Sequence, residues 1–302
     1  MNDPLWPRAS EWLADSGGAG PALAVVGIPL SRTSISPSGA HLTPQAIRAA
    51  LQRFSTYHAG LDVSLDELRV RDYGDLDVSD ATVADHLDRI DLSGITADLV
   101  VVLGGDNAIT RPALRTLLPI TTTGLLTLDA HHDVRGFHAG ATNGTPVRGL
   151  VEDGLQHVTQ IGLGTLTNSR SYRDWCLEHQ ITLVGVDECR GRVGAVVKQQ
   201  LDRLALTCPD LYVDLDVDVV DRAFVPGCPG ARPGGLAPHE LLEAAVEAGR
   251  HPAVRALDIT EVDATADPDG RTVDLAAMCL LSAAAGLVAR AGDAARRRRP
   301  GF

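Results

Sequence analysis

The chain has 302 residues, 44% of them hydrophobic and 22% charged, a composition that can bury a large core. Its formal net charge of -12 argues against nucleic acid and anionic membranes as partners, since both select a basic surface. The five cysteines are scattered with no C-x-x-C pair, which speaks against a disulfide framework or a zinc finger and suits a reduced cytoplasmic compartment. Residues 1–7 lack the basic and apolar regions of a signal peptide, and no apolar run reads as long enough to cross a membrane.

In chain order, β-rich or aliphatic runs predict strands at 22–26, 68–72, 99–103, 124–128, 158–161, 181–186, 211–216 and 254–259. Helical patterns lie between them at 44–54, 81–90, 109–117, 169–179, 194–206 and 238–248, with a last helix at 272–291. Alternating strands and helices imply a parallel sheet covered on both faces, with strands buried as continuous apolar runs. No repeat or linker divides the chain, so residues 1–302 read as a single domain with an N-terminal arm at 1–20 and a basic, solvated tail at 293–302. Gly- and Pro-rich loops at 36–44, 136–146 and 226–235 follow strands, and open α/β sheets bind ligands beyond the carboxyl ends of their strands.

Two acidic rows follow such strands. Asp129-Ala130-His131-His132-Asp133 ends the run at 124–128, and Asp214-Leu215-Asp216-Val217-Asp218 lies at the end of the run at 211–216. In an extended backbone, side chains alternate with period two, so each row can present three groups to one side. Carboxylates converging on one point repel one another unless a cation neutralises them. A solvated turn explains one such strand end; two rows, one carrying His, favour a metal site.

The order of further motifs carries a resemblance. Gly27-Ile28-Pro29, Asp72-Tyr73-Gly74-Asp75, Gly104-Gly105-Asp106-Asn107, the 129–133 row, Asp216-Val217-Asp218 with Asp221, and Asp258-Ile259-Thr260-Glu261-Val262-Asp263 follow one another across roughly residues 25–285. This succession resembles the ureohydrolase superfamily of arginases, agmatinases and formimidoylglutamases. The resemblance implies a three-layer α/β/α fold with an eight-stranded, mainly parallel sheet, and a trimer or hexamer in solution. It implies two Mn²⁺ ions per subunit, bridged by Asp129 and Asp216, one of them completed by Asp133 and Asn107 and the other by His131 and Asp218. Hard oxygen ligands with an imidazole suit Mn²⁺. In the same reading Asp133 handles the proton of the attacking water and Glu261 pairs with a cationic amidine or guanidine substrate.

The departures also have consequences. Asn107 stands where the family usually carries His, so the first metal position is expected to be weak if the amide oxygen is a ligand; the other reading makes Asn107 a cap for the helix near Ile109. Asn143 replaces a customary proton-shuttling His, and His138, in the loop after the metal row, is a candidate substitute. Arg222 replaces a usual Pro, and Asp214 a usual Ser, which places Asp214 behind the ligands. His132 and His157 read as ordinary loop or surface residues. A phosphate loop at Gly104-Gly105 lacks the required Lys, and the run from Asp214 lacks the Gly and Glu of a calcium loop.

The loop at 134–146 offers Arg135, Thr142 and Asn143 to the far end of a substrate, with Arg148 and Arg170 farther along the chain. Arginine matches carboxylates in bidentate fashion, whereas agmatine, with a distal ammonium, asks for acidic or apolar contacts. The basic loop and its Asn143-Gly144-Thr145-Pro146 segment resemble those of formimidoylglutamases, which implies hydrolysis of N-formimidoyl-L-glutamate to L-glutamate and formamide, a late step of histidine degradation. The alternatives are an agmatinase or guanidino-acid hydrolase releasing urea, and a metal-poor, catalytically silent binding or oligomer-forming subunit.

Overall fold

The computed structural model describes residues 3, 5–14, 20–78, 87 and 89–297, without the side chains of 291–297. The strands are β1 (Leu23–Ile28), a short hairpin of β2 (Tyr57–His58) and β3 (Val63–Ser64), β4 (Val70–Asp75), β5 (Leu99–Gly104), β6 (Thr123–Leu128), β7 (His157–Leu163), β8 (Thr182–Gly185), β9 (Asp210–Asp216) and β10 (Val254–Thr260). The helices are α1 (Ala9–Ala14), α2 (Thr43–Ala50), α3 (Thr110–Leu117), α4 (Pro146–Glu152), α5 (Arg170–Glu178), α6 (Val186–Cys189), α7 (Val193–Leu204), α8 (Pro238–Arg250) and α9 (Arg271–Arg297). Apart from the hairpin, the strands form one eight-stranded sheet in the order β4-β1-β5-β10-β9-β6-β7-β8. Every pairing within it is parallel.

Side-chain alternation explains why the inner strands read as apolar runs; the expectation of uniformly buried strands fails at the edges, where β4 and β8 each have one side without a neighbouring strand and are only partly buried. Leu23, Val25, Leu99, Val101, Leu103, Leu126, Leu128, Leu211, Val213, Leu215, Leu257 and Ile259 enter one core beneath α1, α2, α7, α8 and α9. Ala24, Val26, Val100, Val102, Leu125, Tyr212 and Ala256 enter the other, beneath α3, α4 and α5. With both faces covered, polar alternation would bury unpaired groups, and each fully buried aliphatic side chain contributes about 1.5–3 kcal/mol. The predicted helix at 81–90 lies mostly outside the described residues.

One expectation is corrected. Residues Arg271–Arg290 of α9 have a mean hydropathy of 1.9 and are long and apolar enough to cross a membrane. They are, however, 72% buried inside the protein, and α9 packs closely along α8. A Cβ on Gly249 would lie 1.9 Å from the Ala283 carbonyl oxygen, so this helix crossing requires glycine there. The apolar stretch is spent on the core.

Candidate metal centre

Strands β5, β10, β9 and β6 are adjacent in the sheet and parallel, so their carboxyl ends open onto one place. The turn after β5 brings Asn107, β10 ends before Glu261, β9 ends at Asp216 with Asp218 just beyond, and the loop after β6 brings Asp129, His131 and Asp133. Extended alternation alone does not gather these groups. Asp129 Oδ1 accepts a hydrogen bond from the His131 amide at 2.6 Å, and Asp216 Oδ1 from the Asp218 amide at 2.8 Å, so each row curls as it leaves its strand. Asp133 and Glu261 then adopt left-handed backbone conformations, with φ of 51° and 64°. Such strain in non-glycine residues persists where surrounding structure enforces it, commonly at functional sites.

Ligand atoms of Asp129, His131 and Asp218 lie within 4.8 Å of one another, and so do those of Asp129, Asp133 and Asp216. Asp129 belongs to both groups. Its Oδ2 is buried with no hydrogen-bond partner, although burying a carboxylate oxygen unpaired is costly. His131 Nδ1 is 2.7 Å from Asp218 Oδ2. These donors, oxygen-rich with one imidazole, fit a pair of hard or borderline divalent cations sharing Asp129.

The protonation preferences agree with that fit. Burial, followed by repulsion from neighbouring carboxylates, raises Asp129 and Asp216 well above the usual carboxylate range. Burial also pushes Asp133 up to about 7, with Asp218 adding to the rise while His131, Asn107 and Arg135 oppose it. Burial opposes charge on His131, but Asp218 and Asp129 outweigh it and push the imidazole up to about 12. Ligands must shed these protons to hold a metal. Mn²⁺ affinity is therefore expected to rise with pH through the Asp133 value of about 7 and to continue rising above it while His131 still has a proton to lose, with proton release on binding. Calorimetry in two buffers of different ionisation enthalpy measures both, and a flat profile would contradict the coupling.

A cavity of about 120 Å³ opens onto this cluster, room for a small linear molecule. His131, Asp133, Asp216, Asp218 and Glu261 line it, together with Arg135 and Asn143 of the 134–146 loop. Asn143 Nδ2 donates to Glu261 Oε1 at 3.0 Å, and the same oxygen accepts from the Asn107 amide at 2.8 Å. Burial first, then Asp106, pushes Glu261 up to about 8, while these two donors oppose the rise.

Other expected residues fall elsewhere. His138 is exposed and does not line the cavity; a Cβ on Gly136 would sit 3.0 Å from its Nε2, so the ring folds over its own loop. Thr142 is also absent from the lining, its hydroxyl accepting from the Gly144 amide at 3.3 Å within a turn. Arg148 donates to the Val134 carbonyl at 2.8 Å and stacks on Trp175, and Arg170 lines a separate cleft. Capping at the turn before α3 belongs to Asp106, which accepts from the Ala108 amide at 3.1 Å; Asn107 instead donates from Nδ2 to Asp133 Oδ2 at 2.7 Å.

His132, read as a loop or surface residue, is buried. Gln160 Nε2 donates to the His132 carbonyl at 2.8 Å, so Gln160 Oε1 faces His132 Nδ1, 2.7 Å away, as acceptor. Asn168 and Thr167 donate to the Ala130 carbonyl, completing a polar brace under the 129–133 loop. Arg232, Ser34, Ser36 and Ser38 line the cavity and went unnoticed in the sequence. Position in the 226–235 loop was the one available signal for Arg232. Gly105 is forced by geometry, since a Cβ there would meet the Leu30 carbonyl oxygen at 1.8 Å where the loop after β1 crosses.

An all-parallel sheet whose adjacent strands β6 and β9 end in two ligand groups sharing Asp129, with Asn107 and Glu261 beside them, defines the ureohydrolase class of metal-dependent hydrolases. The chain belongs to the arginase family, whose model matches residues 21–286. It is 35% identical over 280 residues to formimidoylglutamase of Bacillus subtilis (strain 168), covering 89% of this chain and 87% of that protein. Mitochondrial agmatinase of Gallus gallus is 30% identical over 276 residues, covering 85% and 78%. The crystal structure of formimidoylglutamase from Bacillus subtilis superposes with a TM-score of 0.83 at 32% identity, covering 95% of this chain and 94% of that one.

Proposed function

We propose that this protein hydrolyses N-formimidoyl-L-glutamate to L-glutamate and formamide. The observation that carries the substrate choice is the presence of both Arg135 and Arg232 in the lining of a cavity that also holds His131, Asp133, Asp216, Asp218 and Glu261. An amidinium toward the acidic groups and two carboxylates toward the arginines match that lining, whereas the distal ammonium of agmatine would meet like charge. In this reading Asp129, Asp133 and Asp216 hold one Mn²⁺, and Asp129, His131 and Asp218 the other. When bound, such a pair supplies a water activated for attack near neutral pH.

The chain's own residues do the rest. Glu261, held by Asn143, orients the amidinium so that its carbon faces the nucleophile. Asp133 takes a proton from the attacking water and returns it to the departing glutamate nitrogen, so that formamide and the free amine result. Release of urea from agmatine is the alternative within the enzyme class, and the complete set of carboxylates disfavours a silent subunit. The family resemblance extends the proposal to a cytoplasmic trimer or hexamer, whose mass sedimentation equilibrium measures.

Arg135→Ala is expected to cost about 1.5–3 kcal/mol in kcat/KM for formimidoylglutamate, the loss of a hydrogen bond to a charged group. A neutral amidine without carboxylates should be almost unaffected. Faster turnover of agmatine by the wild type, or equal loss on both substrates, would transfer the function to the alternative.

Asn107 bears on the first metal position, because an amide is a poorer ligand than imidazole. Purified protein is expected to hold fewer than two equivalents of Mn²⁺ after dialysis, and Asn107→His should raise the count. Elemental analysis decides it, and two retained ions in the wild type would refute the handicap.

A further inference from the structure

Beneath the cavity floor lies a buried polar chain that the mechanism does not use. Asp258 Oδ2 accepts from the Tyr212 hydroxyl at 2.8 Å and lies 2.8 Å from Thr110 Oγ1. Thr110 Oγ1 is in turn 2.7 Å from Asn107 Oδ1, and Thr260 Oγ1 is 3.4 Å from the same oxygen. Asp258, Tyr212, Thr110, Thr260 and Asn107 are all buried, so every proton must be accounted for without solvent.

The count does not close in this arrangement when Asp258 is ionised. Thr110 has one hydroxyl proton, and both Asn107 Oδ1 and Asp258 Oδ2 would accept it. Rotating the Asn107 amide by half a turn resolves the conflict, because Nδ2 then donates to Thr110 Oγ1 and Thr110 donates to Asp258. The same rotation places Oδ1 where Nδ2 now stands, 2.7 Å from Asp133 Oδ2. Two acceptor oxygens at that separation repel unless a proton bridges them or a cation lies beside them, and metal loading removes the proton. The rotated amide and a loaded metal position therefore favour each other.

We infer that Thr110 and Asp258 are positioning residues that turn the Asn107 amide oxygen toward the cation held by Asp129, Asp133 and Asp216. This rests on the two-metal reading above. Tyr212 donates to the same Asp258 oxygen that Thr110 meets, and Asp258 reaches Asn107 through Thr110. The arrangement compensates in part for an amide standing in place of an imidazole, because it fixes which amide atom faces the metal.

The test is Mn²⁺ titration calorimetry on chelator-stripped full-length protein, with thermal unfolding as a folding control. Thr110→Val keeps shape but removes the hydroxyl; it should weaken one of two Mn²⁺ ions about tenfold or more, the usual range for removing an outer hydrogen-bond partner. Thr110→Ser, which restores the hydroxyl, should bind within about twofold of wild type. In an Asn107→Ala background, which leaves no side-chain group to orient, Thr110→Val should change affinity by less than about twofold, a coupling that a double-mutant cycle reads directly. Equal weakening in both backgrounds would overturn the inference, since the loss would not pass through Asn107. Two ions bound equally by wild type and Thr110→Val would overturn the positioning chain alone, whereas no Mn²⁺ binding by wild type would overturn the centre and the chain together.

Discussion

Asp129→Ala is expected to empty both cation positions and lower turnover by about three orders of magnitude or more, the scale of several kcal/mol supplied by metal-ion catalysis. Asp129 is the residue common to the two donor groups, and its Oδ2 is buried without a partner. The resemblance makes Asp216 a second bridge, but its ligand atoms gather only with those of Asp129 and Asp133, so Asp216→Ala should leave the His131 and Asp218 position able to bind one ion. Metal content and activity measured on the same preparations separate the two variants. One retained equivalent in Asp129→Ala together with none in Asp216→Ala would reverse their roles.

The parts of the fold legible in the sequence are those whose environment is uniform. The six inner strands of the main sheet are visible as buried runs because helices cover both faces, whereas the edge strands β4 and β8 are only partly buried and β4, Val-Arg-Asp-Tyr-Gly-Asp, shows only its first aliphatic residues. The hairpin β2–β3 is two residues on each side and carries no period to detect. Helix α4 was hidden because its start, Pro146, closes a Gly- and Pro-rich loop that reads as irregular, although Pro is well suited to the first turn of a helix. The last helix was visible, but its burial depends on α8 packing against it, which its own composition does not reveal.

The candidate site was legible to the extent that its groups are close in sequence. Asp129, His131, Asp133, Asp216 and Asp218 announce themselves as two rows, and strand order brings the rows together. Period-two alternation was only part of the reason: the rows curl through side-chain to backbone hydrogen bonds, and Asp133 leaves extended geometry altogether. His138 was singled out by proximity to the metal row, but its ring folds back over Gly136. Arg232 was missed for the converse reason, since it reaches the cavity from a loop nearly a hundred residues beyond Arg135, and its place in the Gly- and Pro-rich 226–235 loop was the one local mark. The Asp214 and Asp258 carboxyls are strand neighbours in register, a relation that needs the sheet order.

Glu261→Gln is expected to retain bound metal while lowering kcat/KM about 10²–10³-fold, the range for removing one preorganised electrostatic contact at a reacting centre. Glu261 is outside both donor groups, so the metal count should not change. Its Oε1 is fixed by Asn143 Nδ2 and the Asn107 amide, and its backbone is held at φ 64°, so the carboxylate is placed before substrate arrives. Gln keeps the size and one acceptor oxygen but loses the charge that a cationic amidinium requires. The loss should therefore be greatest for protonated amidines and smaller for a neutral amide of the same shape, a contrast that steady-state kinetics on the two substrates measures. Simultaneous loss of Mn²⁺ from Glu261→Gln would show that the residue supports the metal instead of the substrate.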